Sequence, residues 1–299
     1  MSHAIIIPIY CENRNTIILC NELQNFGAEH IVVVNDGLNP KSEYFNELTS
    51  IGCHLVHLKN NNGKGASLKA GIKYAHDNLY NITGYITCDA DGQHTANDVM
   101  KISRMLDLRN GSLILGKRDY KKSKMPINIR IGNRLSSAYF KVITGKSCKD
   151  TQTGLRGIPA FLYDTVMKTK GSRFDFEMNF LTKCADMRVP FYFVNIIADC
   201  SNCSSNFRLI KDTYLIYRTP LRFATASIGC TIIDLVLFTI FAYILPSHMF
   251  FNIMLATLMA RLVSGGINFL INRKVIFGNT DNGAKQALRF FILFFCIMC

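Results

Sequence analysis

The sequence predicts an α/β domain built on a mostly parallel sheet, followed by an α-helical transmembrane domain. Three observations carry this expectation. Short Ile- and Val-rich runs alternate with helical patterns through residues 1–116. Two long apolar stretches fill the last quarter of the chain, and a strongly basic segment separates them from the first region.

In the first region, the runs 4–9, 30–35, 54–58, 84–88 and 112–116 are short, apolar and rich in β-branched residues, the pattern of strands buried on both faces. Between them, Leu68, Ile72, Ala75 and Leu79 recur at helical spacing, as do Val99, Ile102 and Leu106. Thr95 with Asp98 three residues later opens the second of these helices as a capping box. Strand–helix alternation of this kind folds into a mostly parallel sheet covered by helices. Ligands of such sheets sit beyond the carboxyl ends of the strands.

The chain has 299 residues, enough for one or two domains with a large core. Hydrophobic residues make up 49% and charged residues 18%, which excludes a disordered or fibrous chain. The 11 cysteines are scattered, and Met1-Ser2-His3-Ala4-Ile5 lacks the basic start of a secretory signal, so the thiols read as reduced and cytosolic. Cys200-Ser201-Asn202-Cys203 has no second pair at zinc spacing.

The net charge is +13, and residues 116–150 hold ten basic side chains against Asp119 and Asp150. That concentration suits an anionic lipid or a phosphorylated substrate. No helix-turn-helix, zinc-finger or RNP signature accompanies it, so nucleic acid is not expected as a partner. Arg130 and Arg134 with Ile127, Ile129, Ile131 and Leu135 form either an interfacial helix or a solvated surface helix.

Residues 223–245 carry one charge, Asp234, and residues 250–271 carry one, Arg261; each stretch is long enough to span a bilayer. The connector 246–249 has no Lys or Arg. Arg208, Lys211, Arg218 and Arg222 precede the first span, and Arg273, Lys274, Lys285 and Arg289 follow the second. The positive-inside rule then places the α/β domain, residues 1–222, in the cytoplasm, with residues 223–299 as the membrane domain. A third apolar run opening near Ala287 is too short to span, so that domain reads as incomplete. Asp234 and Arg261 fall near mid-depth of an antiparallel hairpin, where they can pair.

Asp89-Ala90-Asp91-Gly92-Gln93-His94 follows the strand 84–88. Residues two apart at a strand end project to one side, so both carboxylates can meet one hard cation; the alternative is a solvated Asp-Gly turn. An EF-hand is excluded because Met100 stands at the twelfth position. The segment Gly111 to Arg118 nearly matches a Walker A loop, but its middle is an apolar strand and Arg118 stands where Ser or Thr is needed. Asn62-Gly63-Lys64-Gly65 precedes a helix and can hold a phosphate, although Leu68 breaks the dinucleotide fingerprint.

These segments occur in a telling order. Ile7-Pro8-Ile9-Tyr10-Cys11-Glu12, Val34-Asn35-Asp36-Gly37, the Gly63-Lys64-Gly65 turn, the Asp89–His94 segment and Gly116-Lys117-Arg118 follow one another along the chain. Gly132-Asn133-Arg134-Leu135, Asp150-Thr151-Gln152-Thr153-Gly154-Leu155-Arg156, Glu177 and Ser204-Ser205-Asn206-Phe207-Arg208 complete the series. Together they resemble the family 2, GT-A-fold glycosyltransferases of the dolichol-phosphate mannose synthase and polyprenyl-phosphate glycosyltransferase group. Residues 223–277 look like a GtrA-type membrane domain. Cys11, Asn35 and Asn206 depart from the residues usual in the group.

The resemblance implies that Pro8, Tyr10, Glu12, Asp36, Lys64 and Asp89 bind the nucleotide sugar. It implies Asp89, Asp91 and Gln93 as ligands of Mg²⁺ or Mn²⁺. Arg118, Arg134, Arg130, Gln152 and Arg208 would meet phosphate groups of donor or acceptor, with Asp89, Asp91, Arg118 and Arg134 as the catalytic set. The implied function is inverting sugar transfer from a UDP- or GDP-hexose to a polyprenyl phosphate of undecaprenyl or dolichyl type. It would take place at the cytoplasmic face of the membrane (the cell membrane in a bacterium), and a homo-oligomer is compatible with it. Two alternatives stand beside it. One is a non-catalytic protein assisting movement of lipid-linked sugars. The other is a processive polysaccharide synthase, against which counts the lack of any Trp for a Gln-x-x-Arg-Trp motif.

Overall fold

The computed structural model describes residues 2–119, 127–197, 209–245 and 250–271. The chain divides into two compact units, Met1–Asp212 and Thr213–Cys299. Arg208 and the 204–208 motif, the connector 246–249, the Cys200–Cys203 pair and the third apolar run lie outside the described residues.

The first unit is built on seven strands: β1 (Ser2–Ile9), β2 (His30–Asp36), β3 (His54–Leu58), β4 (Ile82–Thr87), β5 (Leu113–Arg118), β6 (Arg156–Pro159) and β7 (Phe191–Ile196). Their order in the sheet is β3-β2-β1-β4-β6-β5-β7. All neighbours are parallel except β6, which runs antiparallel to both β4 and β5. The five strands read from the apolar runs are present. The short β6 and the edge strand β7 are not signalled by any such run.

Helices α1 (Arg14–Asn25), α2 (Glu43–Ser50) and α4 (Ala96–Leu108) cover one face of the sheet, and α3 (Lys64–Asn78), α6 (Tyr163–Lys168) and α7 (Asp175–Asp186) cover the other. Ile5, Ile7 and Ile9 of β1 point to the first layer, and Ala4 and Ile6 to the second, all buried. A strand covered on both sides must be apolar at consecutive positions, which is why β1 reads as an unbroken run. At the start of α4, Thr95 Oγ1 accepts from the Asp98 amide at 3.2 Å, one half of the expected capping box. Asp98 completes a different contact: its carboxylate accepts from Lys101 Nζ at 2.6 Å and from the Ile197 amide at 3.0 Å.

The second unit contains the helices α8 (Leu209–Ile244), which enters it from the first, and α9 (Phe250–Ile271); α5 (Ile127–Thr144) belongs to the first unit. Thr225–Ile244 and Phe251–Ile271 are long and apolar enough to cross a membrane. Ala256, Ala260 and Ser264 are buried along one side of α9, a row of small residues at four-residue spacing that lets helix backbones approach closely. The pairing expected for Asp234 is corrected here. Its carboxylate accepts from Ser264 Oγ at 2.7 Å, whereas Arg261 lies on the exposed side of α9. Arg261 sits three residues from Ser264, so turning Ser264 toward α8 carries the arginine off that face.

Gly71 marks the tightest approach of α3 to the sheet: a Cβ there would lie 2.5 Å from Ile6 Cγ2 and 2.7 Å from Val34 Cγ2. Helix propensity alone would favour Leu over Gly, by about 0.5–1 kcal/mol. Overpacking a closed core costs more, about 1–3 kcal/mol. Gly71→Leu is therefore expected to lower the unfolding midpoint of the α/β unit, as followed by circular dichroism of the full chain in detergent. A raised midpoint would show that propensity outweighs packing at this position.

Candidate active site

The carboxyl ends of β1, β2 and β4 carry Pro8 and Tyr10, Asp36, and Asp89 with Asp91, so the parallel register brings the expected donor-binding residues to one edge. Tyr10 and Glu12 are exposed there and Pro8 is half-buried. Asp36 plays a different part from a pocket wall. It is buried, and its two oxygens accept from the amides of Asn62 at 2.8 Å and Gly63 at 2.9 Å. A carboxylate bonded to two backbone donors fixes the turn that starts α3. Gly63, at φ +94°, supplies the left-handed residue the turn needs.

That turn delivers Lys64. Its Nζ lies 2.6 Å from Asp89 Oδ1 and 3.2 Å from Glu177 Oε1. Burial works against the charged ammonium, but the two carboxylates outweigh it and raise the Lys64 pKa above the ordinary lysine value. Burial likewise opposes ionisation of Asp89, yet the Lys64 charge, with His94 adding to it, holds its carboxyl far below the usual range. Both groups are thus charged at neutral pH.

Asp91 shows the opposite pressure. Burial and then the neighbouring Asp89 charge raise its pKa. Gln93 answers part of that demand, with its backbone amide 3.1 Å from Asp91 Oδ1 and its side-chain amide donating to Oδ2. The loop is held from α1, whose N-cap Asn13 and neighbouring Thr16 donate to the Ala90 carbonyl at 3.4 and 3.1 Å. Two carboxylates under mutual repulsion beside a carboxamide make a hard-oxygen donor set that suits Mg²⁺ or Mn²⁺. Among the described residues no group of three His, Cys, Asp or Glu side chains is placed to hold a metal. Further ligands would have to come from a bound anion or water.

Three residues without an assigned role organise the site. Arg156, 2% exposed, donates to the Thr153 carbonyl at 2.9 Å, the Thr151 carbonyl at 3.1 Å and the Glu177 carbonyl at 3.0 Å. It thereby ties the 151–153 loop to the start of α7. Glu177 lies between Lys64 and Arg156, whose Nη2 is 3.7 Å from its Oε1. His94 is 4% exposed, neither ring nitrogen has a hydrogen-bond partner, and Nε2 stands 3.8 Å from Asp89 Oδ2. Their only signal in the sequence was membership of the motif segments. Gly154 packs against Asp89 so closely that a Cβ would collide with the carboxylate, and Thr87 Oγ1 donates to the Gly154 carbonyl at 2.8 Å.

The expectation for Arg118 is at odds with its surroundings. It is 6% exposed and forks onto Asp150, Nε to Oδ2 at 2.7 Å and Nη2 to Oδ1 at 2.8 Å. A bidentate buried pair commits the guanidinium to a carboxylate and leaves it a positioning residue for the 150 loop. Asp150 Oδ1 also accepts from the Gln152 amide at 3.3 Å, which sets the half-buried Gln152. Arg130 and Arg134 are exposed on α5. The same helix grips the loop through Asn133 Oδ1, which accepts from the Thr151 amide at 3.2 Å, and through Ser136, 2.6 Å from Thr151 Oγ1.

Comparison with known proteins agrees with this geometry. Residues 4–164 match the model of glycosyl transferase family 2, and residues 222–299 match that of the GtrA/DPMS transmembrane domain. An uncharacterized protein of Methanocaldococcus jannaschii is 32% identical over 188 residues, covering 59% of this chain and 73% of that one. The UDP-N-acetylglucosamine–dolichyl-phosphate N-acetylglucosaminyltransferase of Methanococcus voltae is 28% identical over 172 residues, 51% of this chain and 67% of its own. Among solved structures, glucosyl-3-phosphoglycerate synthase of Mycobacterium tuberculosis with Mn²⁺ and UDP-glucose superposes with a TM-score of 0.55 at 12% identity, covering 74% of this chain and 77% of that one. A second mycobacterial protein gives a TM-score of 0.55 at 12% identity over 76% of this chain and 75% of its own. Likeness at that identity concerns the fold alone. With its α/β unit matched over more than half the chain and its apolar helices matched beyond it, the protein belongs to glycosyl transferase family 2 and carries a GtrA/DPMS-type transmembrane domain.

Proposed function

We propose that the chain transfers a hexose from a nucleotide sugar, UDP- or GDP-linked, to a polyprenyl phosphate, with inversion at the anomeric carbon. The observation that carries this reading is the Asp89–Asp91 pair beside a charged Lys64 at the carboxyl edge of the sheet. The relative from Methanococcus voltae, named for transfer to dolichyl phosphate, supports the choice of acceptor class.

Asp89, Asp91 and Gln93 would hold Mg²⁺ or Mn²⁺, which when bound would neutralise charge on the departing nucleoside diphosphate. Tyr10, Glu12 and Pro8 border the edge where the nucleotide would lie, and Lys64 supplies a fixed positive charge beside it. Arg134, Arg130 and Gln152 face the acceptor phosphate in this reading, with Arg208 as a further candidate from the sequence. Arg118 is assigned to holding Asp150. The acceptor phosphate oxygen attacks the anomeric carbon as the bond to the donor diphosphate breaks.

No protein base is needed for that step. A phosphate monoester has a second pKa of about 6 and is largely dianionic at neutral pH. Glu177 is the carboxylate nearest in role to a base, but its Oε1 faces Lys64 at 3.2 Å and Arg156 at 3.7 Å, so it balances two cations. Catalysis then rests on alignment and on charge stabilisation of the leaving group.

Three outcomes are expected. Asp91→Asn removes one of two mutually repelling carboxylates, so the fold should persist while transfer to a polyprenyl phosphate falls by roughly two orders of magnitude. Near-normal turnover of that variant in EDTA would refute the metal assignment. Second, the rate should decline as pH falls through the acceptor's own second pKa, because protonation removes the dianionic nucleophile. A phosphonate acceptor of higher pKa should therefore move the acid limb of kcat/KM to higher pH, at saturating metal, and a free polyprenol should be inert. An acid limb indifferent to the acceptor but abolished by Glu177→Gln would make Glu177 the base. Third, we place the α/β unit in the cytoplasm. A cysteine substituted for Ser247, in a background without reactive thiols, should then label from outside intact cells with an impermeant maleimide. Labelling only after permeabilisation would reverse the orientation.

A further inference from the structure

Helix α5 carries its polarity inside out. On an ideal helix of about 100° per residue, Ile131, Leu135, Ala138 and Val142 fall within roughly 60° of arc. All four are exposed, Ile131 at 52%, Leu135 at 61% and Val142 at 84%. The opposite side, which faces the protein, holds the buried Asn133, Ser136 and Phe140. Two of these are polar and spend their hydrogen bonds on Thr151. A helix that only covers a soluble domain presents the reverse pattern, apolar inward and polar outward.

The charge on α5 is also one-sided. Arg130, Arg134 and Lys141 are exposed, and the same wheel places them in one row within about 100° of the apolar stripe's centre. An apolar stripe edged by a row of cations matches the boundary between acyl chains and anionic headgroups. The same chain carries two helices of membrane-spanning length and composition, so a bilayer is at hand. Neither fact explains the other, and both point to one occupant.

We propose that the outer face of α5 docks on the surface of an anionic bilayer. Ile131, Leu135, Ala138 and Val142 enter the top of the acyl region, and Arg134 and Lys141 lie against lipid phosphates. This is a second membrane contact, made by the α/β unit itself and additional to the spans. Because Asn133 and Ser136 of the same helix hold the 151 loop, docking also fixes the part of the site that borders Gln152. The contact requires only that the chain resides in a membrane, whichever sugar or acceptor it uses.

The chain contains no tryptophan, so a single introduced one reports alone. Leu135→Trp and Val142→Trp, each in the full-length chain, are compared with Tyr80→Trp, an exposed site on the turn after α3. The proteins are placed in nanodiscs of phosphatidylcholine and phosphatidylglycerol, with and without lipids brominated near the top of the acyl chains. The α5 variants should emit at shorter wavelength than Tyr80→Trp and be quenched by the brominated lipid, while Tyr80→Trp is not. Adding Lys141→Glu to Leu135→Trp should weaken the quenching, and more so in discs containing phosphatidylglycerol than in phosphatidylcholine alone. Solvent-like, unquenched emission from both α5 variants would overturn the proposal. Short-wavelength emission that brominated lipid leaves untouched would overturn it too, by showing that protein covers the stripe; loss of that signal at one chain per disc would identify a second copy as the cover.

Discussion

Lys64 stands between two carboxylates, and the carboxyl edge of the sheet is arranged around that ammonium. Asp89, Lys64, Glu177 and Arg156 alternate in sign along a chain of contacts of 2.6, 3.2 and 3.7 Å. Each charge is kept in its ionised form by the next, against the burial that would neutralise it. Such partly buried pairs contribute little net stability compared with apolar packing, because desolvation offsets much of the attraction. Their consequence is electrostatic. The site holds its charges in place before any anion arrives, so none need be reorganised when one binds.

The backbone geometry serves the same end. Asp36 stretches both oxygens to the Asn62 and Gly63 amides and so aims α3 at Asp89. Gly154 lets the 151–155 segment lie directly on the Asp89 carboxylate, where no side chain fits. On the far side, Arg118 and Asp150 lock the end of β5 to that segment, and α5 clasps it through Asn133 and Ser136. Four separate stretches of chain therefore converge on a loop that forms no regular element. This arrangement accounts for polar side chains buried on α5 and for apolar ones left outside.

In the second unit the same balance is struck with neutral groups. The carboxylate of Asp234 meets the hydroxyl of Ser264, and the small residues Ala256 and Ala260 allow that approach. Arg261 is thereby left on the outer side of α9 rather than paired within the hairpin.

The sequence by itself determined the five leading strands, α3 and α4, the two apolar spans and the set of motifs at the sheet edge. Those features are local. Hydrophobic periodicity, turn chemistry and residue order act within a dozen positions and are written directly in the chain. Tertiary structure alone decided the rest. The short β6 runs antiparallel because it is inserted between β4 and β5, which no pattern in four residues can specify. Arg118 and Arg134 look alike in sequence, yet one is buried on Asp150 and the other is exposed on α5. Asp234 and Arg261 match in depth but not in rotation about the helix axes. In each case the deciding quantity is which distant charge or backbone group lies within hydrogen-bond reach, and that is fixed only when the layers pack.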